Sequence, residues 1–388
     1  MTKILAFNRN RRVVGADSES RRLDDDKLAA RRRARDARPP RATRTAERSD
    51  PRDTTGTPVE LAASIVVPTR GRPQLLSRCI ASLVLQRFDP ARFEIIIVDD
   101  GAGIDASSEE TRSVVASWAA HTAGSGPRIT YMPSMGAHGP AAARNCGWHA
   151  ALAPIIAFTD DDTIARSDWL SNGVRAFEND VHVVCGRVVM PLNGTPTDYE
   201  LDAKNLETAE FVTANCFCRK HVLEDIGGFD ERFRFAWRED SDLHFRLIDY
   251  RANIRREPRA VMMHPIRPAG WGVSLKQVKK VQFDALLYKK HPRLYRRKIR
   301  QKPRWDFYLT VGALLACIVA LLAGSGAAAL AAGLVWFFMT ARFCAQRLWK
   351  TSKSPAHIAE MIVTSALIPP MAVYWRAVGA IRYRVGFL

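Results

Sequence analysis

Three consecutive aspartates, Asp160, Asp161 and Asp162, follow the short apolar run "PIIAF". Adjacent carboxylates repel one another and raise each other's pKa unless a cation neutralises them. The chain as a whole carries a formal net charge of +18, so a local concentration of acid stands out. Two interpretations are open: a solvated turn in which Asp162 or Ser167 caps the next helix, or a divalent-metal site at the end of a strand.

A second acidic pair, Asp99 and Asp100, ends another apolar run, "EIIIV". Parallel strands of like direction end at one rim of a sheet, where open α/β sheets bind their ligands. We therefore expect both acidic groups to lie on one rim. Because two acidic groups on one rim repel, their pairing favours a shared ligand or cation over helix capping.

A third acidic group lies in "WREDSDLHFRL", which contains Glu239, Asp240 and Asp242. Leu243 and Leu247 follow Asp240 at helical spacing. This pattern predicts a helix that begins at Asp240, where the helix dipole stabilises a carboxylate. Such a carboxylate is suited either to capping the helix or to acting as a general base.

Strand-like and helix-like segments alternate through residues 60–265, from "ASIVVPT" to "AVMMH". This alternation predicts an α/β fold with a mainly parallel, Rossmann-like sheet flanked by helices. The runs "EIIIV" and "PIIAF" are apolar throughout, which is typical of strands that are buried on both faces. A hydrophobic content of 47% is sufficient for such a core.

Residues 1–57 differ from the rest of the chain in composition. They hold 16 Lys and Arg residues against 9 Asp and Glu residues, with no sustained apolar periodicity. This composition predicts a disordered basic arm that is dispensable for catalysis. The seven cysteines are irregularly spaced, which argues against a disulfide framework and against a zinc site.

Residues 307–341 contain no charged side chain and are interrupted by the sequence Gly-Ser-Gly at 324–326. A single helix of that length would exceed the roughly 30 Å hydrocarbon core of a membrane. We therefore predict a hairpin of two helices, at 307–323 and 327–341, although a buried core hairpin is an alternative. Residues 289–304 carry nine basic residues and no acid, so they are predicted to form a juxtamembrane segment.

The distribution of basic residues also predicts the topology of the membrane region. Basic segments flank the hairpin on both sides, and such segments stay in the cytoplasm. We therefore expect a multi-pass protein of the cell membrane whose catalytic domain is cytoplasmic. A third apolar stretch, residues 358–375, contains Glu360, Pro369 and Pro370 and is followed by arginines. Those arginines would be translocated if it spanned, so a re-entrant or interfacial segment is favoured.

These ordered motifs resemble family 2 glycosyltransferases of the GT-A fold, the fold of the nucleotide-diphospho-sugar transferases. The resemblance covers residues 62–265 and includes "SIVVPTRGRP", "EIIIVDDG", "GPAAARNCG", "FTDDDT" and "REDSDLHFRL". It implies a GT-A catalytic domain at residues 60–288, followed by the juxtamembrane segment at 289–304 and a membrane region at 305–388.

The resemblance also implies roles for individual residues. The donor would be bound by Pro68, Thr69, Arg70, Asp99, Asp100, Arg144, Asn145, Asp160 and Asp161. Mg²⁺ or Mn²⁺ would be held by Asp160, Asp162 and His264. Because the motif contains a third aspartate, Asp161, the identity of the two carboxylate ligands is open by one position. Asp240 would be the base with Glu239 beside it, and Trp237 and Asp242 would lie on the acceptor side.

The function implied is that of a membrane-anchored inverting glycosyltransferase. Its partners would be a nucleotide-sugar donor, a membrane and a glycan or lipid-linked acceptor, in cell-surface polysaccharide, glycolipid or cell-wall synthesis. Two other functions fit the sequence less well. A nucleotidyltransferase of related fold would need a glycine-rich loop that "PTRGRP" lacks. An arginine-rich nucleic-acid-binding protein would need aromatic residues among its basic ones, and the acidic rim would repel phosphates, so no nucleic-acid partner is expected.

Overall fold

A computed structural model of the chain describes residues 60–134, 136–178 and 180–387. The predicted basic arm, residues 1–57, lies outside the described residues. Eight strands are described: β1 (Ala63–Thr69), β2 (Phe93–Asp99), β3 (Arg128–Pro133), β4 (Ile155–Phe158), β5 (Ile164–Ala165), β6 (Val183–Val189), β7 (Cys216–Arg219) and β8 (Ile254–Met263). They form one sheet in the order β3-β2-β1-β4-β7-β6-β8-β5.

The first half of the sheet is parallel. β1 pairs with β2, β2 with β3 and β1 with β4, all in the parallel sense. β6 also runs parallel to β8, whereas β7 is antiparallel to β4 and β6, and β5 is antiparallel to β8. Four of these seven pairings are parallel, which agrees with the predicted mainly parallel sheet.

Nine helices are described in the catalytic part of the chain, where they follow or connect these strands. They are α1 (Pro73–Val84), α2 (Ser108–Thr122), α3 (Pro140–Ala150), α4 (Trp169–Arg175), α5 (Asp198–Ala203), α6 (Lys220–Ile226), α7 (Glu239–Asp249), α8 (Val273–Val278) and α9 (Gln282–Lys290). Short 3₁₀ turns lie at Pro90–Arg92, Lys204–Thr208, Thr213–Asn215 and Lys279–Val281.

Successive residues of the central strands point to opposite faces of the sheet, and each face has its own core. Ile65 and Ile95 pack with the apolar side of α1, including Leu76, on one face. Val66 packs on the other face with residues of α3 and α7, including Leu243. Every residue of β1 and β2 is buried, because helices cover both faces.

Beyond α9, the chain forms a short helix α10 (Pro292–Leu294), a π-helical turn (Tyr295–Ile299) and three long helices. These are α11 (Trp305–Leu322), α12 (Gly326–Leu348) and α13 (Pro355–Tyr383), and each is long and apolar enough to cross a membrane. The predicted hairpin is present as α11 and α12, although α12 continues seven residues past the predicted end at 341.

The hairpin presents a largely uncovered apolar surface. Leu322, Leu330 and Phe338 are 84%, 66% and 65% exposed, respectively. Side chains of this kind are unfavourable in water and suit a lipid environment.

The third helix, α13, is longer than the predicted segment 358–375 and continues through the two prolines. Its first turns contact the catalytic part, because the Gly272 backbone N–H donates to Glu360 at 2.8 Å. Its last turns do so as well, because Arg382 donates to the Gln282 side chain at 3.3 Å. At Gly379, a Cβ atom would lie 2.4 Å from the Gln282 carbonyl oxygen, so glycine permits this close packing.

A buried ion pair connects the hairpin of α11 and α12 to the catalytic part of the chain. Arg347, in the last turn of α12, donates to Asp198 on α5 at 3.0 and 3.1 Å. The same guanidinium donates to Thr364, Ser365 and Ser274, and its side chain is only 1% exposed. One arginine therefore holds three helices, α5, α8 and α13, against the end of α12.

Removing Arg347 should destabilise the protein. The substitution Arg347→Met leaves the Asp198 carboxylate without its buried guanidinium, which typically costs about 3–5 kcal/mol of unfolding free energy. We expect a melting temperature in detergent several degrees below that of the wild type. Arg342→Met, at an exposed position of the same helix, is the matched control. Equal melting temperatures for the two variants would contradict this role of the pair.

Candidate active site

A cavity of about 590 Å³ opens at the carboxyl ends of β1 and β4. The strand register explains the position of the acidic groups. Thr69 at the end of β1 lies opposite Asp99 at the end of β2, and Phe158 of β4 lies opposite Val66. Predicted residues that line the cavity are Pro68, Thr69, Arg70, Asp100, Arg144, Asp160, Asp161, Asp162, Trp237, Glu239, Asp240 and His264.

Asp160, Asp162 and His264 form one cluster in this cavity. Each offers a ligand atom within 4.8 Å of the other two. The pairing of β5 with β8 brings them together, because Ile164 lies opposite Met263 and so places His264 beside the aspartates. The His264 Nε2 atom lies 3.6 Å from an Asp162 oxygen and 3.9 Å from an Asp160 oxygen.

The donor set of this cluster fits Mg²⁺ or Mn²⁺, which prefer hard oxygen ligands. Two carboxylates and one imidazole converge there. Asp162 is nearly buried but remains part of the cavity wall. A cation held there would offset the repulsion between the carboxylates of Asp160 and Asp162, which neighbouring arginines also reduce.

The middle aspartate, Asp161, is turned away from this cluster. Its Oδ2 atom accepts a hydrogen bond of 2.7 Å from Thr69, and Arg72 lies 2.9 Å from its other oxygen. Complete burial raises the pKa of Asp161 to about 7. The candidate metal site therefore contains the two outer aspartates, whereas Asp161 joins the motif to the end of β1.

Arg144 connects the candidate metal site to the acidic residues at the start of α7. Its guanidinium donates to Asp160 at 2.7 Å and to Glu239 at 3.4 Å. Burial alone would lower the pKa of Arg144, but the charges of Asp160, Asp240 and Glu239 outweigh burial and raise it. Arg144 is therefore permanently charged, and it lies between two groups of carboxylates that face one cavity.

Asp240 lies at the start of α7, as predicted, and a 3₁₀ turn holds its carboxylate. Thr213 donates to it twice, from the hydroxyl at 2.7 Å and from the backbone N–H at 3.2 Å. Burial raises the pKa of Asp240. Burial and the neighbouring charge of Asp240 together raise the pKa of Glu239 to about 8. A buried carboxylate of raised pKa in a cavity is suited to accepting a proton.

Three predicted site residues do not line the cavity. Asp99 is completely buried and accepts bonds from Tyr131 and from the Gly101 backbone N–H, so its neighbour Asp100 faces the cavity instead. Asn145 donates to the Phe229 carbonyl oxygen at 2.9 Å and takes part in packing. Consecutive residues on a helix point about 100° apart, so Arg144 and Asn145 cannot face the same space.

Asp242 is the third of these residues, and the acceptor-side role predicted for it does not match its position. It is completely buried in an ion cluster with Arg246, Lys290 and His291, at 2.8, 2.5 and 3.1 Å. Burial would raise its pKa, but these partners lower it. Asp242 lies about 200° around the helix from Asp240, so only one of them can face the cavity. Trp237 does line the cavity.

The prediction missed several residues of the cavity wall. Arg72 and Arg267 both reach Asp162, at 3.4 and 3.1 Å. Tyr199 and Lys280 also line the cavity, and Thr213 positions Asp240. Arg267 follows His264 by three residues in "HPIR", which is a weak signal. The others come from loops and short helices whose spacing carries no motif.

Two family models match the chain. The model described as Glycosyl transferase family group 2 matches residues 155–375. The model described as Glycosyl transferase family 2 matches residues 64–229. The two ranges overlap across the Asp160–Asp162 region, and together they extend from β1 into α13.

Curated relatives match the catalytic part. A pre-mycofactocin glycosyltransferase of Mycobacterium tuberculosis is 30% identical over 233 residues, which cover 56% of this chain and 45% of the relative. Glycosyltransferase AglE of Haloferax volcanii is 25% identical over 219 residues, 53% of this chain and 68% of the relative. The match therefore spans about half the length of the first of these relatives.

One solved structure aligns with most of the chain. It is a mannosyltransferase, PcManGT from Pyrobaculum calidifontis, in complex with GDP-Man and Mn²⁺. The likeness covers 95% of this chain and 96% of the other, with a TM-score of 0.48 and 17% sequence identity.

The raised pKa of Glu239 has a measurable consequence for stability. Between its ordinary pKa of 4.5 and the folded value of about 8, the folded protein holds a proton that the unfolded chain has lost. Stability therefore falls as pH rises through this range. Glu239→Gln removes the titrating group, so we expect it to melt several degrees above the wild type near pH 8, and at nearly the same temperature near pH 4.5.

Melting is followed by fluorimetry in detergent at both pH values. Glu109→Gln, at an exposed position on α2, is the control and should change neither melting temperature. A Glu239→Gln variant that melts below the wild type near pH 8 would show that the buried carboxylate is ionised and stabilised.

Proposed function

Because the chain belongs to the family 2 glycosyltransferases, we propose that it is a metal-dependent, inverting glycosyltransferase anchored at a membrane. Family membership confirms the predicted GT-A fold and favours sugar transfer over the nucleotidyltransferase alternative. The proposed reaction transfers a sugar from a nucleoside-diphosphate donor to an acceptor hydroxyl.

One observation carries the proposal. The cluster of Asp160, Asp162 and His264 and the carboxylate of Asp240 line the same cavity, with the Arg144 guanidinium between them. Inverting transfer needs charge stabilisation on the leaving group and a base on the other side of the reacting carbon. This cavity offers both, from different elements of the fold.

On the leaving-group side, we assign Asp160, Asp162 and His264 as metal ligands. Mg²⁺ or Mn²⁺ held there would supply Lewis-acid stabilisation of the negative charge that develops on the donor β-phosphate. Arg144 is positioned to donate to the same diphosphate, since it already donates to Asp160. Pro68, Thr69, Arg70 and Asp100, at the ends of β1 and β2, would hold the nucleoside.

On the acceptor side, we assign Asp240 as the base. The acceptor hydroxyl oxygen bonds to the anomeric carbon while the bond from that carbon to the β-phosphate oxygen breaks. Asp240 takes the hydroxyl proton, and attack opposite the leaving group inverts the configuration. Thr213 fixes the carboxylate by two hydrogen bonds, and Glu239 and Trp237 complete this side of the cavity.

The acceptor is proposed to be a glycan or a lipid-linked glycan close to a membrane. The apolar hairpin of α11 and α12 supports membrane anchoring, because its exposed surface suits lipid. Both ends of α13 contact the catalytic part, which supports an interfacial rather than a spanning position for α13. On this basis the catalytic part and both ends of the hairpin would lie on the cytoplasmic side of the cell membrane.

Removing a metal ligand should abolish metal-dependent turnover. We expect Asp162→Ala to lose release of nucleoside diphosphate from a panel of UDP- and GDP-sugars with Mn²⁺, because the leaving group then lacks its counter-ion. Asp168→Ala, outside the cavity, is the control. Full activity of the wild type in excess EDTA would rule out the metal assignment, and the panel also identifies the donor.

Removing the base should slow transfer without weakening donor binding. Asp240→Asn keeps the size of the side chain but loses its basicity, so turnover should fall about 10²–10⁴-fold. Donor affinity should change little, because the donor is held from the opposite side. Asp249→Asn, an exposed carboxylate on the same helix, is the control. Retained anomeric configuration in the product, read by NMR, would refute the inverting mechanism.

The proposed topology can be tested with a thiol reagent that does not cross membranes. Cysteine replaces Ser325, in the hairpin turn, or Ser354, between α12 and α13. The background lacks the partly exposed Cys146, Cys317 and Cys344. We expect intact cells to be labelled only at position 325, because the turn alone reaches the outer side. External labelling at position 354 would contradict this topology.

A further inference from the structure

Arg238 has a backbone conformation that is rare for its residue type. Its φ angle is 73°, in the left-handed region that favours glycine. It directly precedes Glu239 and Asp240, and its carbonyl oxygen accepts the first helical hydrogen bond of α7 from Asp242. The conformation of this one residue therefore sets the direction in which α7 starts.

Asp284, on α9, holds Arg238 in this conformation. The Arg238 Nε atom donates to Asp284 Oδ1 at 2.6 Å, and both side chains are nearly buried, at 4% and 5% exposure. The Trp237 indole N–H donates to the same oxygen at 3.1 Å. The Arg238 guanidinium also lies 4.3 Å from the centre of the Trp237 ring. A single carboxylate thus fixes two consecutive residues of the loop before the base.

Tyr295 makes a third contact with Asp284 that does not involve this loop. Its hydroxyl donates to the other oxygen, Oδ2, at 3.2 Å. Asp284 does not line the cavity, whereas Trp237, Arg238 and Asp240 do. Asp284 therefore has no access to a ligand in the cavity and can influence transfer only through its neighbours.

Two anchors then determine where Asp240 lies. Thr213 holds its carboxylate from the 3₁₀ turn, and Asp284 holds the backbone that carries it through Arg238. A non-glycine residue keeps a left-handed conformation only when its surroundings hold it there, so the loss of its buried ion-pair partner should let Arg238 relax towards a commoner conformation. The start of α7 would then rotate, and the Asp240 carboxylate would turn away from the acceptor.

We propose that Asp284 is a positioning residue for sugar transfer, which keeps Arg238 left-handed and so aims the Asp240 carboxylate at the acceptor. This inference rests on the role of Asp240 as base under the proposed function. It assigns to α9, outside the cavity, an indirect effect on the rate of transfer.

The test uses the full chain in detergent and the UDP- or GDP-sugar selected by the donor panel. Asp284→Asn keeps the shape of the side chain and loses its charge. We expect turnover to fall at least about tenfold, since a small misplacement of a reacting group has large effects. The donor KM should stay within about twofold of the wild type, because the donor side of the cavity is untouched.

The double variant Asp284→Asn with Arg238→Gly separates positioning from general stability. Glycine adopts a φ of 73° without strain, so it should restore part of the turnover that Asp284→Asn loses. Tyr295→Phe removes the third contact to the same carboxylate without releasing Arg238, and it should leave turnover unchanged. If Asp284→Asn does not fold, Arg238→Lys gives the same comparison, because lysine keeps the charge and loses the Nε donor.

Two outcomes would overturn the proposal. One is wild-type turnover in Asp284→Asn. The other is a loss of turnover and donor affinity together that the glycine substitution does not recover, which indicates a structural role only. Asp240→Asn is measured in the same series. If Asp240→Asn keeps full turnover, the assignment of Asp240 as the base is wrong. If Asp240→Asn loses turnover and Asp284→Asn does not, only the positioning role of Asp284 is wrong.

Discussion

The rest of the active site depends on one buried cation between two groups of carboxylates. Arg144 donates to Asp160 on one side and to Glu239 on the other. Without it, acidic groups from β4 and α7 would repel one another across the cavity, and the pKa values of these carboxyl groups would rise further. The need for this arginine also explains its position on α3, whose first turn points at the rim where β1 and β4 end. The fold thus gathers negative charge for a ligand and compensates for it until that ligand arrives.

A second level of organisation surrounds this arrangement. Two buried ion pairs lie between the cavity and the C-terminal helices: Arg347 of α12 pairs with Asp198, and Arg238 pairs with Asp284. Asp198 belongs to α5, the helix that also supplies Tyr199 to the cavity. Asp284 belongs to α9, against which α13 packs. In addition to the membrane anchoring proposed for them, the C-terminal helices therefore support the walls of the cavity.

The sequence predicted the rim well, because strand ends obey simple rules. Asp100 and Asp160–Asp162 follow apolar runs, and parallel strands must end together, so their proximity needed no knowledge of loops. Helical positions were harder to assign. Asp240 and Asp242 are two residues apart, and only their rotation about α7 decides that one faces the cavity and the other an ion cluster. Arg72, Thr213 and Arg267 could not be found from spacing, because they reach the site from loops whose course depends on the finished fold. The same holds for Asp284, which lies 44 residues after Asp240.

The turn between α11 and α12 has a consequence for how the protein is made. Residues 323–325 are Ala, Gly and Ser, so the segment that would pass through the bilayer carries no charge. Moving such a turn through lipid requires no dedicated transport of a polar domain, and burial of the two apolar helices can drive it. The catalytic part precedes the hairpin in the chain and is released from the ribosome first. On the proposed topology, it can fold in the cytoplasm before the hairpin enters the membrane, and the order of synthesis would match the order of assembly.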